Sequence, residues 1–92
     1  MRESTVERKI CDYAKSIGVV AEKLAGPNDR GREDRMFTKD GVAAFLEIKA
    51  PGRRPTALQL KRMKSRRANG FNSEWVDCEE GGVQFLDMVF PS

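Results

Sequence analysis

The sequence predicts an α/β (α+β) domain with a mixed central sheet flanked by helices, and three observations carry that prediction. A run with apolar residues at helical spacing comes first. Two strand-like runs joined by an Asp-Gly turn occupy the middle of the chain. A loop punctuated by proline and glycine then opens a polar helix, and a further strand follows it. Strand and helix signals interleaved in this way belong to layered folds in which helices cover a sheet.

Taken in order, Ser4-Thr5-Val6-Glu7 has the form of a capping box. It opens a helix running to about Ser16, with Val6, Ile10, Tyr13 and Ile17 on the buried side, and Gly18 ends it. Val19 to Leu24 reads as a first strand and Gly26 to Gly31 as a loop. Asp34 to Thr38 is a short second strand. Lys39-Asp40-Gly41 turns it into a third strand, Val42 to Lys49, so the two pair antiparallel. Pro51-Gly52 and Pro55 mark the next loop, and Thr56-Ala57-Leu58-Gln59 is a second capping box, starting a helix that ends near Asn69-Gly70. Ser73 to Asp77 forms a fourth strand around Trp75. Val83, Phe85, Met88 and Phe90 fit neither period cleanly, and Val83 to Phe90 is assigned as helix.

Composition narrows the function classes. Ninety-two residues make one domain, 1–92, near the lower end of chains that bury a self-sufficient core, so a second subunit would add stability. No window approaches the roughly 18 apolar residues of a membrane span, and the charged start does not read as a signal peptide. Cys11 and Cys78 lack the clustering of a disulfide framework or zinc site, which fits reduced, half-buried thiols in a cytoplasmic protein. Histidine is absent altogether, which removes histidine bases and triads. Any catalysis must run on carboxylates, lysine and metal.

Asp34 is followed, after twelve residues, by Glu47-Ile48-Lys49. On a strand Glu47 and Lys49 leave the same face, while Ile48 points into the core. Burying unpaired charge costs on the order of several kcal/mol, so two charged residues on an apolar strand need a reason. A bound cation supplies one: carboxylates suit Mg2+ or Mn2+, and the ammonium could hold a water or meet charge developing on phosphate. The alternative is a Glu47–Lys49 ion pair on a solvated face. Net charge is only +3, but residues 50–73 hold Arg53, Arg54, Lys61, Arg62, Lys64, Arg66 and Arg67 and no acid. That cluster is the footprint of a polyanion partner, or else a solvated basic helix.

Gly31-Arg32-Glu33-Asp34-Arg35, Phe45-Leu46-Glu47-Ile48-Lys49, and Pro55 with Gln59 on the next helix together resemble the VRR-NUC family of the PD-(D/E)xK nuclease superfamily. Glu33 stands where the family pattern usually has proline. The resemblance spans about Thr5 to Met88. It implies a restriction-endonuclease-like domain with an αβββαβ core and Mg2+- or Mn2+-dependent phosphodiester hydrolysis. It further implies metal ligands at Asp34, Glu47, the Ile48 carbonyl and Glu7, with Lys49 and Gln59 completing the catalytic set. Glu7 has the capping box with Ser4 as its other reading, Gln59 that with Thr56, and Glu3 is the lesser substitute for Glu7. Stand-alone relatives imply a homodimer acting on branched DNA, including four-way (Holliday) junctions, in a bacterial cytoplasm or that of a phage host. Flap or single-strand nicking, or DNA binding without catalysis, are the alternatives. Phe71, Trp75, Phe85 and Phe90 are weighed as interface aromatics against core packing.

Overall fold

The computed structural model describes residues 1–24 and 35–92. Along the chain these form α1 (Glu3–Ser16), β1 (Val20–Lys23), β2 (Arg35–Lys39), β3 (Val42–Ile48), α2 (Ala57–Ala68), β4 (Asn72–Val76) and α3 (Glu79–Val89). The strands make one mixed sheet in the order β1-β2-β3-β4. The first two pairings are antiparallel and the β3–β4 pairing is parallel. This is the α+β arrangement expected from the sequence, with the C-terminal stretch resolved as helix. No described helix is long and apolar enough to cross a membrane.

The β2–β3 hairpin turns through Asp40 and Gly41, both at positive φ (51° and 80°). That is the backbone of a two-residue primed turn, whose twist matches the flanking strands. It sets the register from Lys39↔Val42 to Arg35↔Leu46. A parallel neighbour cannot be reached by a tight turn, so β3 joins β4 through α2.

The two capping boxes have different fates. At α2 the box forms: the Gln59 N–H donates to Thr56 Oγ1 at 3.1 Å, and the Thr56 N–H donates to Gln59 Oε1 at 2.8 Å. At α1 it does not. The N-cap there is Arg2, without a side-chain cap, and Ser4 already lies inside the helix. Glu7 is engaged instead by Arg35, whose Nε donates to Glu7 Oε2 at 2.7 Å.

Alternation along β3 divides the molecule into layers. Ala44, Leu46 and Ile48 point into a core with Phe37 of β2, Val6, Ile10 and Ala14 of α1, and Phe85 and Leu86 of α3. Each fully buried Leu, Ile or Phe contributes roughly 1.5–3 kcal/mol. Phe90 joins this core, so Phe85 and Phe90 are packing residues, not interface aromatics. On the opposite face Phe45 and Met63 of α2 are buried but stand outside that cluster. The sheet therefore lies between α1 and α3 on one side and α2 on the other.

Helices α1 and α3 meet closely at Gly82, where an added Cβ would lie 2.4 Å from Ile10 Cδ1 and 2.5 Å from Cγ1. Alanine is the better helix former by about 1 kcal/mol, but overpacking a full core costs about 1–3 kcal/mol. Because Ile10 is fully buried, Gly82→Ala is expected to lower stability by about 1 kcal/mol or more, read as a lower denaturation midpoint with unchanged m-value in urea.

Candidate active site and nucleic-acid face

Glu47 is the polar residue that β3 places in the interior. Its side chain is 1% exposed and leaves the sheet on the α2 face, next along from Phe45. The core side of the same strand is filled by Leu46 and Ile48, so period two separates the carboxylate from the apolar core. Lys49 follows the last residue of β3 but stays on the ladder, its N–H donating to the Val76 carbonyl at 2.9 Å. The same alternation directs its half-buried side chain towards the Glu47 face.

Parallel pairing brings β4 to this face. Phe45 is in register with Ser73 and Glu47 with Trp75, and residues in register on parallel strands share a side of the sheet. Trp75 is thus the lateral neighbour of Glu47. Over its indole lies the Arg54 guanidinium, with Cζ 5.6 Å from the ring centroid. Arg54 rides on a turn in which Arg53 N–H donates to the Ala50 carbonyl at 2.9 Å and Gly52 has φ 82°. With Pro51 and Gly52 at its centre this is a type II turn, which favours those residues at those places. The Gly52 N–H donates to Asp77 Oδ2 at 3.1 Å, tying the turn to the end of β4.

Of the seven basic residues in this part of the chain, three engage the sheet. Arg66 stacks on Phe45 with Cζ 3.9 Å from its centroid, and Phe45 meets Phe71 edge-on at 5.5 Å. Arg67 Nε donates to the Ser73 carbonyl at 2.7 Å, and its Nη2 lies 2.9 Å from Glu74 Oε2. Arg54 makes a cation–π contact with Trp75. Arg53, Lys61, Arg62 and Lys64 are exposed apart from these contacts, and Arg54 and Arg67 are exposed as well as engaged.

Of the remaining predicted site residues, Asp34 lies outside the described residues. Its sequence neighbour Arg35 pairs with Leu46, the neighbour of Glu47. Gln59 is engaged in the α2 capping box, at the end of the loop that carries Arg54. Glu7 sits on α1, the other side of the sheet, bonded to Arg35. Among the described residues no three carboxylate or thiol groups gather as a metal cage. Glu47 itself, a carboxylate withdrawn from water on a rigid strand, fits the hard oxygen donor that a divalent ion of the magnesium kind requires. Sequence reading did not find the Trp75–Arg54 pair or the Asp77–Gly52 bond. The single tryptophan of the chain was a signal, but its place beside Glu47 depends on the parallel register.

Two groups away from this face titrate abnormally. The Cys11 thiol is pushed up by burial, against the lowering effect of Arg35, with Glu7 and Asp12 adding to the rise. The Tyr13 phenol is pushed up by donating to Asp87 and, secondarily, by burial. Tyr13 and Asp87 line a cavity of about 500 Å3 with Ile17, Lys39 and Phe90. It opens near the β2–β3 hairpin, at the end of β3 away from Glu47.

No protein-family model matches the chain. The chain is 37% identical over 62 residues to "Putative nuclease p44" of Acyrthosiphon pisum secondary endosymbiont phage 1, a match covering 66% of this chain and 67% of that protein. A solved structure described as "VRR_NUC domain" superposes with a TM-score of 0.80 at 23% identity, covering 96% of each chain. That likeness is one of fold, and it extends over nearly the whole molecule.

The Arg35–Glu7 pair is largely enclosed, the two side chains being 23% and 16% exposed. Removing Glu7 takes away a charge-assisted hydrogen bond in a poorly solvated place, at a cost of about 1.5–3 kcal/mol. Glu7→Ala is expected to lose that much in urea denaturation, and Glu7→Gln, which keeps an acceptor oxygen for Arg35, distinctly less.

Proposed function

Because the chain belongs to the VRR-NUC family of nucleases, we propose that it is a Mg2+- or Mn2+-dependent endonuclease that cuts branched DNA, four-way junctions foremost, as a homodimer. The observation that carries the reading is the Glu47 carboxylate, 1% exposed on the sheet face crossed by basic α2 and followed two residues later by Lys49. In this reading Asp34, Glu47 and the Ile48 carbonyl would hold the metal, while Glu7, which lies across the sheet in its bond to Arg35, would have to leave that partner to serve as a further oxygen donor. A bound divalent ion lowers the pKa of water and polarises the scissile phosphate. Lys49 positions the attacking water and meets negative charge as it builds on the phosphoryl oxygens. Gln59 orients phosphate or water at the mouth of the site, its amide nitrogen being left for that task while Oε1 accepts from Thr56. Arg53, Lys61, Arg62 and Lys64, together with Arg54, Arg66 and Arg67, hold the phosphate backbone of the DNA, which makes binding steeply salt-dependent.

The homodimer follows from the chemistry of a four-way junction, which needs two symmetric strand cuts. A two-fold pair of these chains presents two sites, one to each strand. Phe71, 46% exposed beside Phe45, gives this side of the sheet an apolar side chain that a partner subunit could cover.

Purified protein with end-labelled four-way junction, flap, duplex and single-stranded DNA is expected to give paired junction cuts with Mg2+ or Mn2+ and none with EDTA. Asp34→Ala and Glu47→Ala should each lose at least about a hundredfold in rate with unaltered circular dichroism. Unchanged cleavage by either variant would sink the assignment, and binding without cutting in any metal would leave a DNA-recognition module. Analytical ultracentrifugation at micromolar concentration is expected to show a dimer; a monomer throughout would turn the reading towards flap or single-strand nicking.

A further inference from the structure

Phosphodiester hydrolysis does not require an aromatic ring beside the carboxylate, yet Trp75 stands in register with Glu47 on the neighbouring strand. Adjacent strands are about 4.8 Å apart, so the indole is the lateral neighbour of the Glu47 carboxylate on the same face. Its cation partner is equally specific. A guanidinium is planar and stacks on rings and bases alike, whereas an ammonium is a point charge. Arg54 is exposed while Trp75 beneath it is half-buried, so the guanidinium is the member of the pair that solvent and ligand reach first. Arg66 also lies on a ring, but that ring, Phe45, is 6% exposed and also contacts Phe71, which makes it packing of α2 on the sheet.

The loop that holds Arg54 is fixed before any ligand arrives. The Pro51-Gly52 turn closes on the Ala50 carbonyl, and Asp77 Oδ2 holds its apex through the Gly52 N–H. A turn already closed reduces the ordering cost of binding.

We propose that Trp75 and Arg54 form a stacking platform for one unpaired nucleotide base next to the scissile phosphate, the base lying on the guanidinium that the indole supports. The proposal rests on the nuclease reading for the identity of the ligand as DNA. Paired bases inside a duplex have both faces occupied by neighbours, whereas an unpaired base at a branch point or in a single strand offers a face. The platform therefore selects unpaired DNA by stacking, separately from the phosphate contacts of the basic helix, which any DNA satisfies.

The chain has one tryptophan, so its emission reports on this platform alone. The full-length protein is titrated, with Ca2+ replacing Mg2+ to hold the DNA uncut, with a single strand carrying 2-aminopurine and with the same strand in a full duplex. The single strand is expected to change Trp75 emission and to quench 2-aminopurine, and the duplex to do neither. Arg54→Lys, which keeps the charge and loses the plane, should reduce the ratio of single-strand to duplex affinity about five- to tenfold. Trp75→Ala should do the same, and Trp75→Phe should keep the ratio within about twofold. A wild-type ratio in Arg54→Lys, its fold verified by circular dichroism, would overturn the platform and leave a phosphate contact; so would unchanged tryptophan emission at saturating single strand. Glu47-dependent cleavage without any emission change would remove the platform alone. An emission change in a protein that cuts nothing with Mg2+ or Mn2+ would retain the platform and remove the nuclease reading.

Discussion

The parallel pairing of β3 with β4 is the constraint on which the rest of the molecule depends. Two parallel neighbours cannot be joined by a tight turn, so the chain must leave the sheet after Ile48, cross one face and return at Asn72. The crossing element is α2, and its face of the sheet is the one that Glu47 occupies. One topological requirement thereby brings a basic helix over a buried acid and sets Trp75 beside it. The other face is closed by α1 and α3, whose apolar side chains make the main core with Ala44, Leu46 and Ile48. β3 is enclosed from both sides, and a polar residue on such a strand is held in a fixed direction by everything packed around it.

What could be read from the sequence was what local chemistry decides. The Asp40-Gly41 turn, the alternation that separates Glu47 from Ile48, and the Thr56–Gln59 box all follow from residues within a few positions of one another. The same motif at Ser4 did not form: the helix starts one residue earlier, at Glu3, which puts Ser4 inside it, and the Glu7 carboxylate bonds Arg35, distant in sequence. The weak periodicity of the last helix has a physical cause as well. At its contact with Ile10 it carries Gly82, where a stripe of large side chains would be expected, while Met88 is 62% exposed. Trp75 and Arg54 could not be paired by inspection, since their meeting requires the parallel register and the turn anchored by Asp77.

The basic segment divides on inspection into two kinds of positive charge. Arg66 and Arg67 spend their guanidinium groups on Phe45, Ser73 and Glu74, and so hold α2 to the sheet. Arg53, Lys61, Arg62 and Lys64 are exposed. Arginine in the contacts with rings and carbonyls, and lysine mainly in the solvated set, accords with the planar fork of the one and the hydrated point charge of the other. Counting charges along the sequence gives the sign of the field, and only the packing tells which charges generate it at the surface.

The first and last helices of the chain pack on each other, Ile10 against Gly82, while the hairpin between β2 and β3 is closed by two residues. Contacts close in sequence form before those that must close long loops. During synthesis the hairpin is therefore available early, but β4 can pair only after α2 has been made, and α3 covers the core later still. The carboxylate, the basic helix and the tryptophan come together only once β4 is in place. A chain cut before β4 has no assembled centre with which to attack nucleic acid around it.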